Sequence, residues 1–313
     1  MVAENDLFPR FLEGCDTVVR LADSYLELNA QFGSPVAYSL GNRGFYTEVN
    51  DVLNIVVYCL VHGRRLVVDQ SQFGGFRWSN FFDTDLPRAD TESESAVPPE
   101  ARITGPRHPL FLEIQRWVER RYRYRVPMFL SEMDFLGGLF GAKRQMAFIL
   151  SRPHQSGSGR WPFTGEFATF QVRSGDRTDI AVNRPADAPL SDYLGLLQKH
   201  ASHLKSVFVM TDDFSVVEEL RTLAPALRFE SFCHATDRGF DPSRFAALSV
   251  DDRILSAKKV VSEVEIATQS AVFIGPFCSS LSRYVTLRHR TRKMCFSVDN
   301  QKSWVPSAAP SPQ

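Results

Sequence analysis

Residues 271–290 read AVFIGPFCSSLSRYVTLRHR. Ala271, Val272, Phe273 and Ile274 form an apolar run rich in β-branched and aromatic side chains, short enough for a buried strand. Gly275 and Pro276 stop it. Cys278, Ser279 and Ser280 then place small polar residues before a helix expected from about Leu281, with Arg283, Arg288, Arg290 and Arg292 along it. A strand that ends in small residues and turns into a helix offers backbone N–H groups and hydroxyls at the helix N-terminus. That combination suits an anion such as phosphate. The same residues also fit an ordinary junction in which a serine caps the helix.

Upstream, the pattern alternates. Strands are expected over 178–182, 207–210 and 227–233, with helices over 189–204, 214–223 and 250–269 and a last strand over 293–298. Repeated β and α segments are the mark of a doubly wound parallel sheet. In such a sheet the residues just past the strands converge on one edge. Arg184 and Asp187 follow the first of these strands, Asp212 and Asp213 the second, and Ser279 and Ser280 the strand quoted above. A diphosphate on that edge would meet an arginine, hydroxyls and helix N–H groups, with acidic side chains beside it. The two aspartates also suit a divalent metal or a cap for the following helix. Glu263 falls on the expected helix over 250–269, either as a ligand group or as a solvated helix residue.

The first half carries a βαβ unit: a strand over 35–40, a loop over 41–44, a helix over 45–61 and a strand over 65–69. An amphipathic helix over 6–31 precedes it. Arg43, Glu48 and Asn50 are the polar residues near the C-terminal end of its first strand, where such sheets bind ligands; Glu48 and Asn50 also suit capping and solvation of the helix. Residues 70–82 hold Phe73, Phe76, Trp78, Phe81 and Phe82, which either stack sugar rings or cover the core. The polar stretch over 88–109 reads as an insertion. A helix over 110–125 ends in arginines interleaved with Tyr122 and Tyr124, and 128–150 has a further helical pattern. The Gly-, Pro- and Ser-rich stretch over 151–165 marks a boundary. The expected organisation is therefore an N-terminal domain over 1–160, a nucleotide-binding domain over 161–300 and a tail over 301–313.

Composition narrows the function classes. The 313 residues carry 36 basic and 36 acidic side chains, so no global field recruits nucleic acid or an anionic membrane. Hydrophobic residues make up 43% and charged residues 23%, which suits a folded soluble protein. The five cysteines, Cys15, Cys59, Cys233, Cys278 and Cys295, are odd in number and widely spread, with no CxxC pair. Neither a zinc site nor a disulfide framework is indicated. Residues 1–13 lack an apolar signal core, and no run reaches the length of a membrane span. A cytoplasmic location is expected. No GxGxxG, Walker A, HExxH or GxSxG motif occurs, which weakens a dehydrogenase reading.

The block Phe277-Cys278-Ser279 with Arg283 on the following helix resembles the donor-site motif of the α-1,6-fucosyltransferase family. That family comprises the nodulation-factor and N-glycan-core enzymes. Thr211-Asp212-Asp213 after its strand, and Glu263 sixteen residues before Ser279, are similar to further family features. So is Gly44-Phe-Tyr-Thr-Glu-Val-Asn-Asp near the N-terminus. The resemblance implies a GT-B-like fold, two Rossmann-type domains with parallel sheets facing a cleft. It implies inverting transfer of fucose, or a related sugar, from GDP-fucose to an acceptor hydroxyl, without a metal or other cofactor. Glu263 would read the guanine base. Phe277, Cys278, Ser279, Ser280, Arg283, Asp212 and Asp213 would line the donor site. Arg184 would neutralise the departing diphosphate. Relatives of Golgi type carry a membrane anchor; with no such segment, this chain resembles the bacterial branch. The acceptor would be a glycan, a small molecule or a protein.

One departure stands out. Where the family carries His-x-Arg-Arg-x-Asp-Lys, this chain has Ala181-Val-Asn-Arg184-Pro-Ala-Asp187. Only Arg184 matches, and Asp187 is the nearest carboxylate for the role of base. The alternative implied is a nucleotide-sugar-binding protein of the same fold with impaired turnover.

Overall fold

The computed structural model describes residues 18–41, 43–82, 85–88, 97–122, 165–172, 188–276, 278–289 and 294–299. Met1–Arg144 and Gln145–Gln313 form two compact units, each built on a parallel sheet. The fold is α/β.

In the first unit, α1 (Val18–Gln31) leads into β1 (Ser34–Ser39), α2 (Phe45–Val61) and β2 (Arg64–Asp69). β1 and β2 pair in parallel, with Val36 opposite Leu66, as a βαβ unit requires. Asn29 of α1 closes onto β2 with both ends of its amide: Nδ2 donates to the Leu66 carbonyl at 2.9 Å and Oδ1 accepts from the Leu66 N–H at 2.7 Å. β3 (Arg102–Ile103) pairs with the other side of β1, giving the order β2-β1-β3. It corrects the reading of 88–109 as an insertion throughout. Val97, Ala101 and Ile103 are buried, so the end of this polar stretch belongs to the core. α3 (Pro109–Tyr122) follows.

The aromatic stretch over 70–82 is also core. The Phe45 ring at the start of α2 packs 4.7 Å from Phe81 and 5.7 Å from Phe73, and Trp78 lies 4.4 Å from Phe82. All five aromatic side chains of the stretch are buried. None offers a face to a sugar, so the stacking reading of these residues is corrected.

The second unit holds β4 (Ala168–Gln171), α4 (Leu190–Ala201), β5 (Ser206–Met210), α5 (Phe214–Leu223) and β6 (Arg228–Glu230). After them come α6 (Pro242–Ala246), α7 (Val250–Gln269), β7 (Val272–Gly275), α8 (Ser280–Arg288) and β8 (Cys295–Ser297). The sheet order is β6-β5-β4-β7-β8, with every pair parallel. The chain starts at the centre, winds outward one way to β6, and returns through α7 to wind the other way. That is the doubly wound arrangement, with its topological switch point between β4 and β7.

β4 is the strand that the sequence reading lacks. The expected strand over 178–182, the expected boundary over 151–165 except for its last residue, Gly165, and the helical pattern over 128–150 lie outside the described residues. Thr169 and Gln171 alternate with Ala168 and Phe170 along β4, so no continuous apolar run announces it, yet all four are buried. The core clusters on this strand: Phe170, Val172, Tyr193, Leu197, Val209, Val217, Leu220 and Ile274 are packed together and buried.

Candidate functional site

The carboxyl edge of the second sheet is assembled from the ends of β5, β6 and β7 and from α7. At β5, Thr211, Asp212 and Asp213 follow the strand. Asp213 caps α5: its Oδ1 accepts from the Ser215 N–H at 2.9 Å and from the Ser215 hydroxyl at 2.8 Å. Asp212 does something different. Its Oδ2 accepts from the Phe240 N–H at 2.8 Å, and its carbonyl accepts from Gly239 N–H at 2.8 Å.

Those two bonds belong to a stitched loop, residues 231–241, between β6 and α6. The Ser231 hydroxyl donates to the Val209 carbonyl at 2.7 Å. Asp237 Oδ2 accepts from the His234 N–H at 2.9 Å and from the Cys233 thiol at 3.5 Å, and pairs with Lys259 Nζ at 3.5 Å. The Phe214 N–H donates to the Asp237 carbonyl at 3.1 Å. Gly239 turns with φ +89°, a conformation that favours glycine. Burial tends to raise the Asp237 carboxyl, but the His234 N–H, Lys259 and the Cys233 thiol outweigh it and hold it below its ordinary value. Burial pushes the Cys233 thiol up to about 12, so it stays protonated as a donor.

Within electrostatic reach of this loop's Asp237 lies Glu263. It is 5% exposed, and its Oε1 has no hydrogen-bond partner. The reading of Glu263 as a solvated helix residue is therefore corrected. α7 is exposed at its start, with Val250 and Leu255 outside, and buried at its end, with Val261, Val264, Ile266 and Ala267 inside. Its burial changes along the axis rather than around it, and Glu263 sits in the buried half. Burial pushes the Glu263 carboxyl up to about 7; Lys259 opposes the shift, while Asp212 and Asp237 add to it. A buried acceptor left unmatched costs stability, which makes the position notable.

At β7 the junction forms as the opening sequence suggests, with β7 at Val272–Gly275 and α8 starting at Ser280. Ser279 is the N-cap, its Oγ accepting from the Ser282 N–H at 3.4 Å. Gly275 is required by close approach: a Cβ there would lie 2.7 Å from Ser282 Oγ and 3.2 Å from Gln171 Cβ. Cys278 is exposed, and its N–H donates to Asp299 Oδ2 at 2.8 Å. Arg283 turns back on the same residue, donating from Nη2 to the Cys278 carbonyl at 3.1 Å. Ser280 is half-buried at the first turn of α8. Asp299, Asp237 and Lys259 are parts of this edge that the sequence did not single out. Only the Asp237 turn, three residues past His234, leaves a local signal.

The structure thus places Asp212 within electrostatic reach of Glu263, and sets Ser279, Ser280, Cys278 and Arg283 at the end of β7. β5 and β7 flank β4, so two strand spacings, about 10 Å, separate Asp212 from the turn at the end of β7. Arg184, Asp187 and Phe277 lie outside the described residues.

In the first unit, Arg43, Glu48 and Asn50 behave differently from surface loop residues. Glu48 and Asn50 are within α2 and buried. The N-cap position is Gly44, so Glu48 neither caps nor solvates the helix. Glu48 accepts from the Tyr38 hydroxyl at 2.7 Å and from Arg43 Nε at 2.9 Å, and Arg43 Nη2 reaches Asp51 at 2.7 Å. Burial, with Asp51 and Glu48 nearby, holds the Tyr38 phenol well above its ordinary value. Arg43 also lies over the Phe111 ring, 5.8 Å from its centroid.

No family model and no curated protein matches this chain. Several solved structures are similar in chain course. One is a mutant of Arabidopsis thaliana FUT1 in complex with GDP, at 10% identity and a TM-score of 0.49, covering 90% of this chain and 75% of that one. Another is POFUT1 in complex with GDP, at 11% identity and a TM-score of 0.46, covering 84% and 97%. A third is the NodZ α-1,6-fucosyltransferase co-crystallised with GDP, at 13% identity and a TM-score of 0.44, covering 84% and 93%. Among the described residues no helix is long and apolar enough to cross a membrane, and no group of three or more His, Cys, Asp or Glu side chains is placed to hold a metal ion.

Proposed function

We propose that the second unit binds a guanosine-diphosphate sugar along its carboxyl edge, and that the chain is an inverting glycosyltransferase of GT-B type. The donor would carry fucose or a related sugar, and the acceptor would supply a hydroxyl from a glycan, a small molecule or a protein. One observation carries this reading: Glu263, buried on α7 within electrostatic reach of Asp212 at the end of β5, keeps a carboxyl oxygen with no partner. Guanine presents two adjacent N–H donors on one edge, and a carboxylate is their natural acceptor. Two strand spacings from the end of β5, about 10 Å, the Ser279 turn and the start of α8 offer the place for the diphosphate. Arg184 and Arg283 are the cations assigned to the charge that develops on the departing diphosphate, and Asp187 is the carboxylate assigned to the acceptor proton. No metal is assigned a part.

A second reading is favoured by a specific contact. Asp299 takes the Cys278 N–H, and the Cys278 carbonyl takes the Arg283 guanidinium. The turn meant for the diphosphate thereby answers part of its own hydrogen bonding and carries a carboxylate. This favours a nucleotide-sugar-binding protein with weak or no turnover.

Calorimetric titration with GDP, ADP and UDP tests the first step, and sugar release from GDP-fucose the second. The proposal expects GDP to bind best and Glu263→Gln to erase the preference. Absence of GDP binding ends both readings. GDP binding without release of fucose selects the second.

A further inference from the structure

We infer that the Phe240 ring is the platform on which the base of the bound nucleotide stacks, with Glu263 facing the base's N–H edge. The inference rests on the nucleotide reading above and adds to it a residue that sets base affinity. Phe240 is 41% exposed, whereas the rings of Phe73, Trp78, Phe81, Phe82, Phe170 and Phe273 are all buried. Its exposure is not that of a loose segment. The Phe240 N–H is fixed on Asp212 Oδ2 at 2.8 Å, the preceding N–H on the Asp212 carbonyl, and Gly239 sets the turn. The Phe245 ring, 5.4 Å away and tilted by 52°, supports it from α6.

The same Asp212 that anchors Phe240 acts on the charge of Glu263. The loop that carries this open aromatic ring is tied by hydrogen bonds to Asp212, which in turn lies within electrostatic reach of the buried acceptor Glu263. A purine needs both: a flat apolar surface for its π face and an acceptor for its N–H edge. Val250 and Leu255 are also exposed, but neither has a ring, and neither is tied to Asp212 by a hydrogen bond.

The test is calorimetric titration of the full chain and of Phe240→Ala, Phe240→Leu and Phe240→Tyr with GDP and UDP. The loop's hydrogen bonds are made by backbone and by other side chains, so these variants are expected to melt at the wild-type temperature. Phe240→Ala is expected to weaken GDP by about tenfold or more, in line with the worth of one base–aromatic stack. Phe240→Tyr should restore it, Phe240→Leu should not, and UDP should suffer less because its single ring covers less of the platform. GDP affinity unchanged in Phe240→Ala, while Glu263→Gln still alters base preference, overturns the platform alone. A wild-type chain that binds neither nucleotide overturns the nucleotide reading and the platform with it.

Discussion

The Ser282 hydroxyl donates to Gln171 Oε1 at 2.6 Å, a buried bond that ties the first turn of α8 to the end of the central strand β4. The bond holds the candidate diphosphate turn against the sheet, and Gly275 leaves the space for it. In Gly275→Ala the new methyl would lie 2.7 Å from Ser282 Oγ and 3.1 Å from the Phe273 ring. Both the hydroxyl and the ring belong to fully buried residues. The expected loss is about 1–3 kcal/mol, typical of overpacking, read from denaturant midpoints. An unchanged midpoint would show that α8 shifts freely, and the turn would then not be preorganised.

This junction was among the most legible parts of the sequence, because a strand stop, a cap and a helix each leave a local mark. α2, α5 and α7 have the expected bounds for the same reason. β4 left no such mark: Thr169 and Gln171 are polar, and only their tertiary surroundings bury them. β3 is two residues long, too short for any period to show. The site was legible as a set of residue types, but not as an arrangement. Nothing in the α7 sequence shows that Glu263 is buried, since its neighbours along the helix include Lys258, Lys259 and Glu265. Nor does spacing show that Asp299 reaches back to Cys278 across 21 residues.

Trp78 and Phe81 provide a direct check on the aromatic stretch. Both are fully buried, and Phe81 packs edge-on against Phe45. Trp78→Ala or Phe81→Ala is expected to cost about 3–5 kcal/mol, the usual loss for a large core aromatic. Thermal melting measures it. A variant that melts normally but loses sugar affinity would return these rings to a binding role.

The Arg43 cluster yields a separate expectation. Arg43 uses its fork to hold Glu48, Asp51 and the Tyr38 hydroxyl at once. A lysine has one charged nitrogen and cannot reproduce that geometry. Arg43→Lys should therefore destabilise the chain almost as much as Arg43→Ala. The loss is about 2–3 kcal/mol, below that of a fully buried pair because the Arg43 side chain is 30% exposed. Full stability in Arg43→Lys would mean that charge alone is needed there.

Glu263 gives the last prediction, through pH. Burial pushes its carboxyl up from an ordinary value of 4.5 to about 7. Between those values the folded state holds a proton that the unfolded chain has lost. Stability from this group is complete below about pH 4.5 and declines as pH rises through 7, by about 3 kcal/mol in all. Glu263→Gln keeps the shape of the protonated form and cannot ionise. The stability of Glu263→Gln minus that of the wild type should thus grow from pH 5 to pH 8, whatever constant offset the amide adds. Subtracting the two curves removes the groups that do not interact with Glu263; Asp237, whose lowered value works in the opposite direction, is coupled to Glu263 and stays in the difference. The same proton must leave before the carboxylate accepts from a guanine edge. Wild-type affinity for GDP should rise with pH until about 7 and then level, with proton release visible as a buffer-dependent heat. In Glu263→Gln both the rise and the released proton should vanish. A wild-type affinity flat across that range would separate Glu263 from the nucleotide even if the stability curves behave as expected.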